Sequence, residues 1–341
     1  MTTRQHPEHT DRTDPTLTVV ICAYTLDRWD DLCAAVESVR TQQRQPAEIL
    51  LVIDHCPELA RLAARLLPAA RVMENCLRQG LSGARNTGVA AASGEVVAFL
   101  DDDAAAAPDW TAHLLAGYRD PAVLGVGGLV RARWESGRPR WFPPEFDWVV
   151  GCTYRGAPAS ACAVRNFIGA NMSFRRAAIL DAGGFSTRLG RIGSKPLGCE
   201  ETELCLRIAQ RNPDAVLYYE PAAAVRHHVP ASRTTWAYFR ARCYAEGRSK
   251  AVVAQLAGPG AALATERGYL RRAVPAALAQ SLREARPRTA GALVSGVGIT
   301  TLGYLTGRLA LVRPAARRAA PAPEFPVRST RTSRRLTRNR S

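Results

Sequence analysis

Three consecutive carboxylates, Asp101-Asp102-Asp103, follow directly on the apolar run Val96-Val97-Ala98-Phe99-Leu100. Such a run has the length and composition of a strand buried on both faces. The acids therefore fall at its C-terminal tip, where open α/β sheets bind their ligands. Like charges at this density repel one another unless a cation or a hydrogen-bond network offsets them. Hard oxygen ligands suit Mg2+ or Mn2+, which combine one or two carboxylates with substrate phosphates. The same residues also read as a solvated acidic turn that caps a helix beginning near Pro108-Asp109-Trp110.

The elements that would position these acids alternate regularly. Strands are predicted over 17–23, 48–53 and 70–74 and in the run before the triplet. Helices are predicted over 30–42, with Leu32, Cys33, Val36 and Val39 at helical spacing, over 58–67, and over 82–92 with Ser82 as N-cap. This alternation implies an α/β fold, a doubly wound and mostly parallel sheet with right-handed crossovers. It places Asp54, directly after the second strand, at the same sheet edge as the triplet. No Gly-x-Gly-x-x-Gly turn follows the first strand and no Gly-Lys-Ser/Thr loop occurs, which argues against dinucleotide oxidoreductases and P-loop NTPases. Beyond Val130 the pattern changes. Residues 131–160, rich in Trp, Pro, Gly and Arg, read as a long substrate-side loop region. A helix over 200–211, a strand over 215–219 and helices over 234–256 and 261–286 follow, the last bent at Pro275.

The formal net charge of +16 is uneven: from Arg313 to Ser341 nine arginines stand against one acid, Glu324. That tail reads as disordered, as does the polar segment 1–16, which lacks the apolar core of a signal peptide. Nine cysteines, none in a Cys-x-x-Cys pair, suggest free thiols in a reducing cytosolic compartment rather than a disulfide or zinc framework. The uncharged stretch 289–307 is about long enough to span a bilayer, yet its glycines and threonines suit an interfacial helix equally well. A polybasic tail beside it would be drawn to anionic cytoplasmic lipid. The expectation is peripheral association with the cytoplasmic face of a membrane.

Five blocks, in order, resemble the inverting family 2 glycosyltransferases of GT-A fold. They are Val-Val-Ile-Cys-Ala-Tyr-Thr (19–25), Glu-Ile-Leu-Leu-Val-Ile-Asp (48–54), Gly-Leu-Ser-Gly-Ala-Arg-Asn-Thr-Gly (80–88) running on to the triplet, Gly-Ala-Asn-Met-Ser-Phe-Arg-Arg (169–176) with Gly-Gly-Phe (183–185), and Glu-Glu-Thr-Glu-Leu-Cys-Leu-Arg (200–207). The resemblance implies a GT-A domain over 17–257, a helical and potentially membrane-associated extension over 258–312, and a nucleotide-diphosphate sugar donor, a UDP-sugar first. By position it implies that Asp103 holds the metal, with Asp101 as a further ligand or, like Asp102, on the ribose or metal waters. It also implies that Asp54 reads the base and ribose, and that Ala23, Tyr24, Arg85, Asn86 and Asn171 line the donor site, with Met172 beside Asn171. His227 and His228 fall where some relatives place a metal or phosphate ligand. Arg233 and Lys250 are cations that could reach phosphates of donor or acceptor.

Inversion in one step needs a general base within reach of the acceptor hydroxyl. The resemblance puts it at Glu201, with Glu200 bracing it or touching the donor. This chain departs from the commoner Glu-Asp pair, and the extra methylene leaves Glu200 open as the base. No Gln-x-x-Arg-Trp block follows; the nearest sequence is Arg233-Thr-Thr-Trp236, which favours single addition over processive synthesis. The wording around Glu200 and Glu246-Gly247-Arg248-Ser249-Lys250 looks most like a subgroup acting on lipid-linked sugars, glucuronosyltransferases among them. The expected partners are the donor, a glycan or lipid-linked sugar acceptor and an anionic membrane surface. A nucleic-acid-binding protein acting through the arginine tail is the rival class, but the chain lacks a helix-turn-helix, a zinc module or aromatic interleaving, and no specific nucleic acid is expected.

Overall fold

The computed structural model describes residues 14–191, 197–258, 260 and 263–312. Segment 1–16 therefore lies outside the described residues except for its last three, and the basic tail 313–341 lies outside them altogether. The chain opens with β1 (Leu17–Ala23), α1 (Trp29–Arg40), β2 (Glu48–Ile53), α2 (Pro57–Leu66), β3 (Arg71–Glu74), α3 (Leu81–Ala91) and β4 (Val96–Asp101). Every helix and strand expected in this half is present, with ends moved by one or two residues. Val19, Val20 and Ile21 of β1 are buried on both faces, as are Val97, Ala98 and Phe99 of β4. A continuous apolar run is what such a strand requires.

These strands pair in parallel in the order β3-β2-β1-β4. Register matters for function: Ala23 stands beside Ile53, and Cys22 beside Asp101. The ends of β1, β2 and β4, and with them Ala23, Asp54 and Asp101, share one edge. Beyond β4 the sheet becomes mixed. Strand β8 (Asn171–Arg175) runs antiparallel to both β4 and β6 (Val123–Trp134), while β6 runs parallel to the long β9 (Val216–Val229). The short strands β5 (Ala104–Ala106) and β7 (Cys162–Ala163) both pair with β9 antiparallel.

Three local expectations change. Ser82 is not the N-cap of α3. Gly80 is, with φ 129°, a conformation that L side chains rarely adopt, and the Ser82 hydroxyl instead donates to Leu189 O at 2.9 Å. The strand expected over 215–219 continues to Val229, because β6 resumes pairing with it from Val130 to Trp134 after a register shift at Pro221, despite the polar His227-His228. Residues 131–160 are not simply a loop: β6 reaches Trp134, and a 3-10 turn over Pro144–Val150 buries Phe146, Val149 and Val150 in the core.

After α4 (Trp110–Gly117), α5 (Arg176–Asp181) and α6 (Glu200–Arg211), the helical part comprises α7 (Trp236–Ala257), α8 (Ala264–Arg283) and α9 (Pro287–Val312). Helix α8 continues through Pro275 as one element. Helices α7 and α9 meet along a glycine seam. A Cβ on Gly247 would lie 2.0 Å from Thr300 O, and one on Gly303 would lie 2.2 Å from Tyr244 O. Small residues let the backbones approach this closely. The outward face of α9 leaves Val294, Leu302, Leu305, Leu309 and Val312 exposed. At 26 residues and a mean hydropathy of 1.2 over its most apolar window, it is long and apolar enough to cross a membrane.

Candidate active site

The triplet does not cap α4. Its side chains turn into a cleft of about 430 Å³ whose lining includes Ala23, Tyr24, Asp54, Arg85, all three acids of the triplet, Glu200 and Glu201. Each acid meets a cation. Asp101 accepts from Arg85 at 3.3 Å. Asp102 accepts from Arg28 at 2.9 Å, and the same nitrogen stands 3.3 Å from Asp103. Asp103 also faces Arg233 at 3.1 Å and His227 Nε2 at 3.0 Å. Strand β9 explains the last contact. Ala104 pairs with His227, and the His228 amide donates to Asp103 O at 2.7 Å, so the ladder itself carries the imidazole to the carboxylate.

Potential ligand atoms of Asp101, Asp103 and His227 all lie within 4.8 Å of one another. Two carboxylates and an imidazole form a donor set that fits a divalent cation. Asp102 Oδ2 is buried with no hydrogen-bond partner among the described residues, so an acceptor in this cluster is left unsatisfied. Burial, then the charge of Asp103, pushes the Asp102 carboxyl up to about 7 against the pull of Arg28. Burial works against Asp103 as well, but His227, Arg233 and Arg28 overcome it and hold that carboxyl well below its ordinary value. His227 is raised to about 10: burial opposes its charge, and Asp103 more than offsets it.

Across the cleft, α6 begins at Glu200 after Cys199, which adopts a left-handed φ of 68°. Arg85, fully buried on α3, binds Glu200 Oε1 at 2.8 Å and Gly169 O at 3.0 Å, and so ties the glutamates to Asp101 through one guanidinium. Glu200 Oε2 is also buried without a partner among the described residues. Glu201 is half-buried, and its carboxylate accepts from the Thr202 hydroxyl at 3.1 Å. Burial and then the neighbouring Glu200 push the Glu201 carboxyl up to about 8. Glu203 turns away and pairs with Arg207 at 2.6 Å.

Asp54 reaches the cleft while holding it together. It accepts from Asn75 at 2.7 Å and from the Gly80 amide at 2.9 Å, which fastens the end of β2 to the start of α3. Three expected lining residues point elsewhere. Asn86 is fully buried and exchanges hydrogen bonds with the Phe185 backbone at 2.8 Å in both directions. Asn171 accepts from Trp110 Nε1 at 2.8 Å and donates to Ala223 O at 2.7 Å and Leu129 O at 3.1 Å. Met172 belongs to the core between β4 and α6. These side chains brace the walls, and the neighbouring Gly169 and Ala170 line the cleft instead. His228 is likewise turned aside, onto Asp31 at 2.5 Å.

Sequence reasoning missed Arg28 entirely, since a lone arginine just before α1 has no motif to announce it. It also missed Arg165, Arg242 and Glu266, which join Glu246 and Lys250 in a second charged group on the helical wall of the cleft.

The sequence profile described as Glycosyl transferase family 2 matches residues 18–182. A glucosyl-dolichyl phosphate glucuronosyltransferase of Haloferax volcanii is 35% identical over 241 residues, covering 70% of this chain and 77% of the relative. The succinoglycan biosynthesis protein ExoM of Rhizobium meliloti is 24% identical over 235 residues, 67% of this chain and 72% of its own. Among solved structures, the mannosyltransferase PcManGT from Pyrobaculum calidifontis, in complex with GDP-Man and Mn2+, superposes with a TM-score of 0.54 at 21% identity, over 89% of this chain and 82% of that one. The shared fold includes the mixed sheet and its flanking helices.

Proposed function

Since the chain belongs to glycosyl transferase family 2, we propose that it moves one sugar per encounter, with inversion, from a nucleotide-diphosphate sugar to a hydroxyl of a lipid-linked sugar. A UDP-sugar is the preferred donor, and Mg2+ or Mn2+ assists. One observation carries the reading: a single cleft holds the carboxylate-imidazole cluster of Asp101, Asp103 and His227 on one side and Glu200 and Glu201 on the other. The glucuronosyltransferase relative, named for glucosyl-dolichyl phosphate, supports the lipid-linked acceptor. The mannosyltransferase neighbour, in complex with GDP-Man and Mn2+, supports the metal.

Asp101, Asp103 and His227 would hold the cation, which when bound neutralises charge that develops on the leaving diphosphate. The chain's own groups do the rest. Glu201 accepts the proton of the attacking hydroxyl; its raised carboxyl gives it the basicity for the task near neutral pH. Arg85 holds Glu200 beside it in a fixed position and keeps that charge compensated. Arg28, between Asp102 and Asp103, offers a guanidinium where phosphate oxygens would arrive. Asp54 and Tyr24 bound the nucleotide end.

We further read the exposed apolar face of α9, with the basic tail beyond it, as a peripheral contact with anionic lipid on the cytoplasmic side. Thermal shifts with UDP and GDP, each with and without Mn2+, test the donor reading. Stabilisation of the wild-type chain by one nucleotide only with Mn2+, and its loss in Asp103→Ala, is expected. No shift with either nucleotide, or an undiminished shift in Asp103→Ala, overturns it.

A further inference from the structure

Asp103 is contested. Its Oδ1 stands 3.0 Å from His227 Nε2, and its Oδ2 takes both Arg233 at 3.1 Å and Arg28 at 3.3 Å. One carboxylate thus faces two guanidiniums, both permanently charged, as well as an imidazole. Asp101, the other carboxylate of the candidate metal cluster, accepts from Arg85. A divalent cation seated on Asp101, Asp103 and His227 would therefore share its ligands with side chains of its own sign. In a buried cluster such like charges repel strongly, because little water stands between them. A cation that takes Asp103 has to displace a guanidinium or bind weakly beside it.

The three arginines are not equally free to yield. The side chains of Arg85 and Arg233 are 2% and 6% exposed, and Arg85 is also fastened to Glu200 and to Gly169 O. Arg28 is 22% exposed and lines the cleft from the short turn that joins β1 to α1. Its closer contact is with Asp102 Oδ1 at 2.9 Å, so it can release Asp103 and still keep a carboxylate partner. Tyr24 steadies the same guanidinium: the ring centroid lies 5.3 Å from Cζ, and the hydroxyl accepts from Nη2 at 3.4 Å. Tyr24 lines the cleft as well. A planar fork of five N–H donors can exchange one carboxylate oxygen for a phosphate oxygen with no change in its own charge.

We propose that Arg28 is a built-in rival of the metal: it holds Asp103 against a divalent cation, and the diphosphate of the donor draws it away, so that nucleotide and metal favour each other's binding. The proposal rests on the metal and donor reading above and adds which side chain couples the two ligands. Such coupling is reciprocal, so it is measurable from either ligand. Mn2+ binding to the full chain is to be followed without nucleotide by electron paramagnetic resonance of the free ion. Binding of UDP, with GDP in parallel, is to be followed by calorimetry at saturating Mn2+. In Arg28→Met, Mn2+ alone is expected to bind about tenfold more tightly than in the wild type, and the nucleotide about tenfold more weakly. Arg28→Lys keeps the charge and should leave the Mn2+ affinity within about threefold of wild type. Asp103→Ala should abolish Mn2+ binding both alone and combined with Arg28→Met, which locates the ion. A residue that only braced the turn would weaken both ligands when lost, so opposite signs separate the two roles. Unchanged or weaker Mn2+ binding in Arg28→Met overturns the rivalry. Tighter Mn2+ binding with undiminished nucleotide affinity overturns the transfer of Arg28 to the diphosphate. Should Arg28→Met fail to fold, Arg28→Gln carries the same comparison. If neither wild type nor Arg28→Met binds Mn2+ at all, the metal reading itself fails and this inference with it, an outcome distinct from equal binding by both.

Discussion

Glu201, half-buried, and Arg85, fully buried, illustrate how differently two charged groups serve one site. Glu201 is expected to be the proton acceptor, so Glu201→Gln should lower kcat by about 10²- to 10⁴-fold. The thermal shift with UDP and Mn2+ should survive, since that side chain does not touch the cluster of Asp101, Asp103 and His227. The base must be ionised to act, and burial together with Glu200 raises its carboxyl to about 8. Wild-type kcat/KM should therefore climb with pH and level off above about 8, and a pH-rate profile at subsaturating acceptor checks this. Arg85 is a structural charge. Arg85→Met leaves Glu200 buried without its 2.8 Å partner and should cost about 3–5 kcal/mol of stability, read from urea unfolding. The acids of the site were legible in the sequence because each ends an apolar run or opens a helix. Arg28 and the full setting of His227 were not. Arg28 is 74 residues from Asp102 and Arg233 is 130 from Asp103, and only the folded sheet makes them neighbours. Asn86 and Asn171 sit in the right blocks, yet their amides are consumed by backbone groups that a buried wall cannot leave unpaired.

At the level of elements, the parallel half of the sheet could be read from its apolar runs almost to the residue. Strand β9 could not be read as far, because after Tyr219 its sequence is punctuated by Pro221, Arg226 and two histidines. Its length comes from the ladder with β6, a tertiary preference that overrides local propensity. That extension brings His227 to the triplet. The glycine seam between α7 and α9 was equally silent, since a glycine in a helix is unfavourable until its neighbour is known. Gly247→Ala should expose its importance. The new methyl would sit 2.0 Å from a backbone carbonyl that has no rotamer to change, so a loss of about 1–3 kcal/mol and a matching fall in Tm are expected in a thermal melt.

Taken whole, the molecule is a family 2 glycosyltransferase with one cleft of two electrical characters, acidic at the sheet edge and basic under the helices. Helix α9 presents three faces: glycines to α7, Thr300 and Tyr304 to the cleft, and Leu302, Leu305 and Leu309 to the surroundings. On the peripheral-membrane reading, replacing those three leucines by serine should lower co-sedimentation with vesicles of anionic phospholipid. The UDP and Mn2+ shift should remain, because that outer face does not line the cleft. The same helix that walls the cleft also carries the outward apolar stripe, and this has a kinetic corollary. An acceptor tail could pass from bilayer to catalytic centre around a single rod about 10 Å across without entering bulk water. Turnover would then follow how crowded the acceptor is within the lipid film, and diluting the vesicles at fixed film composition would leave the rate per bound enzyme unchanged.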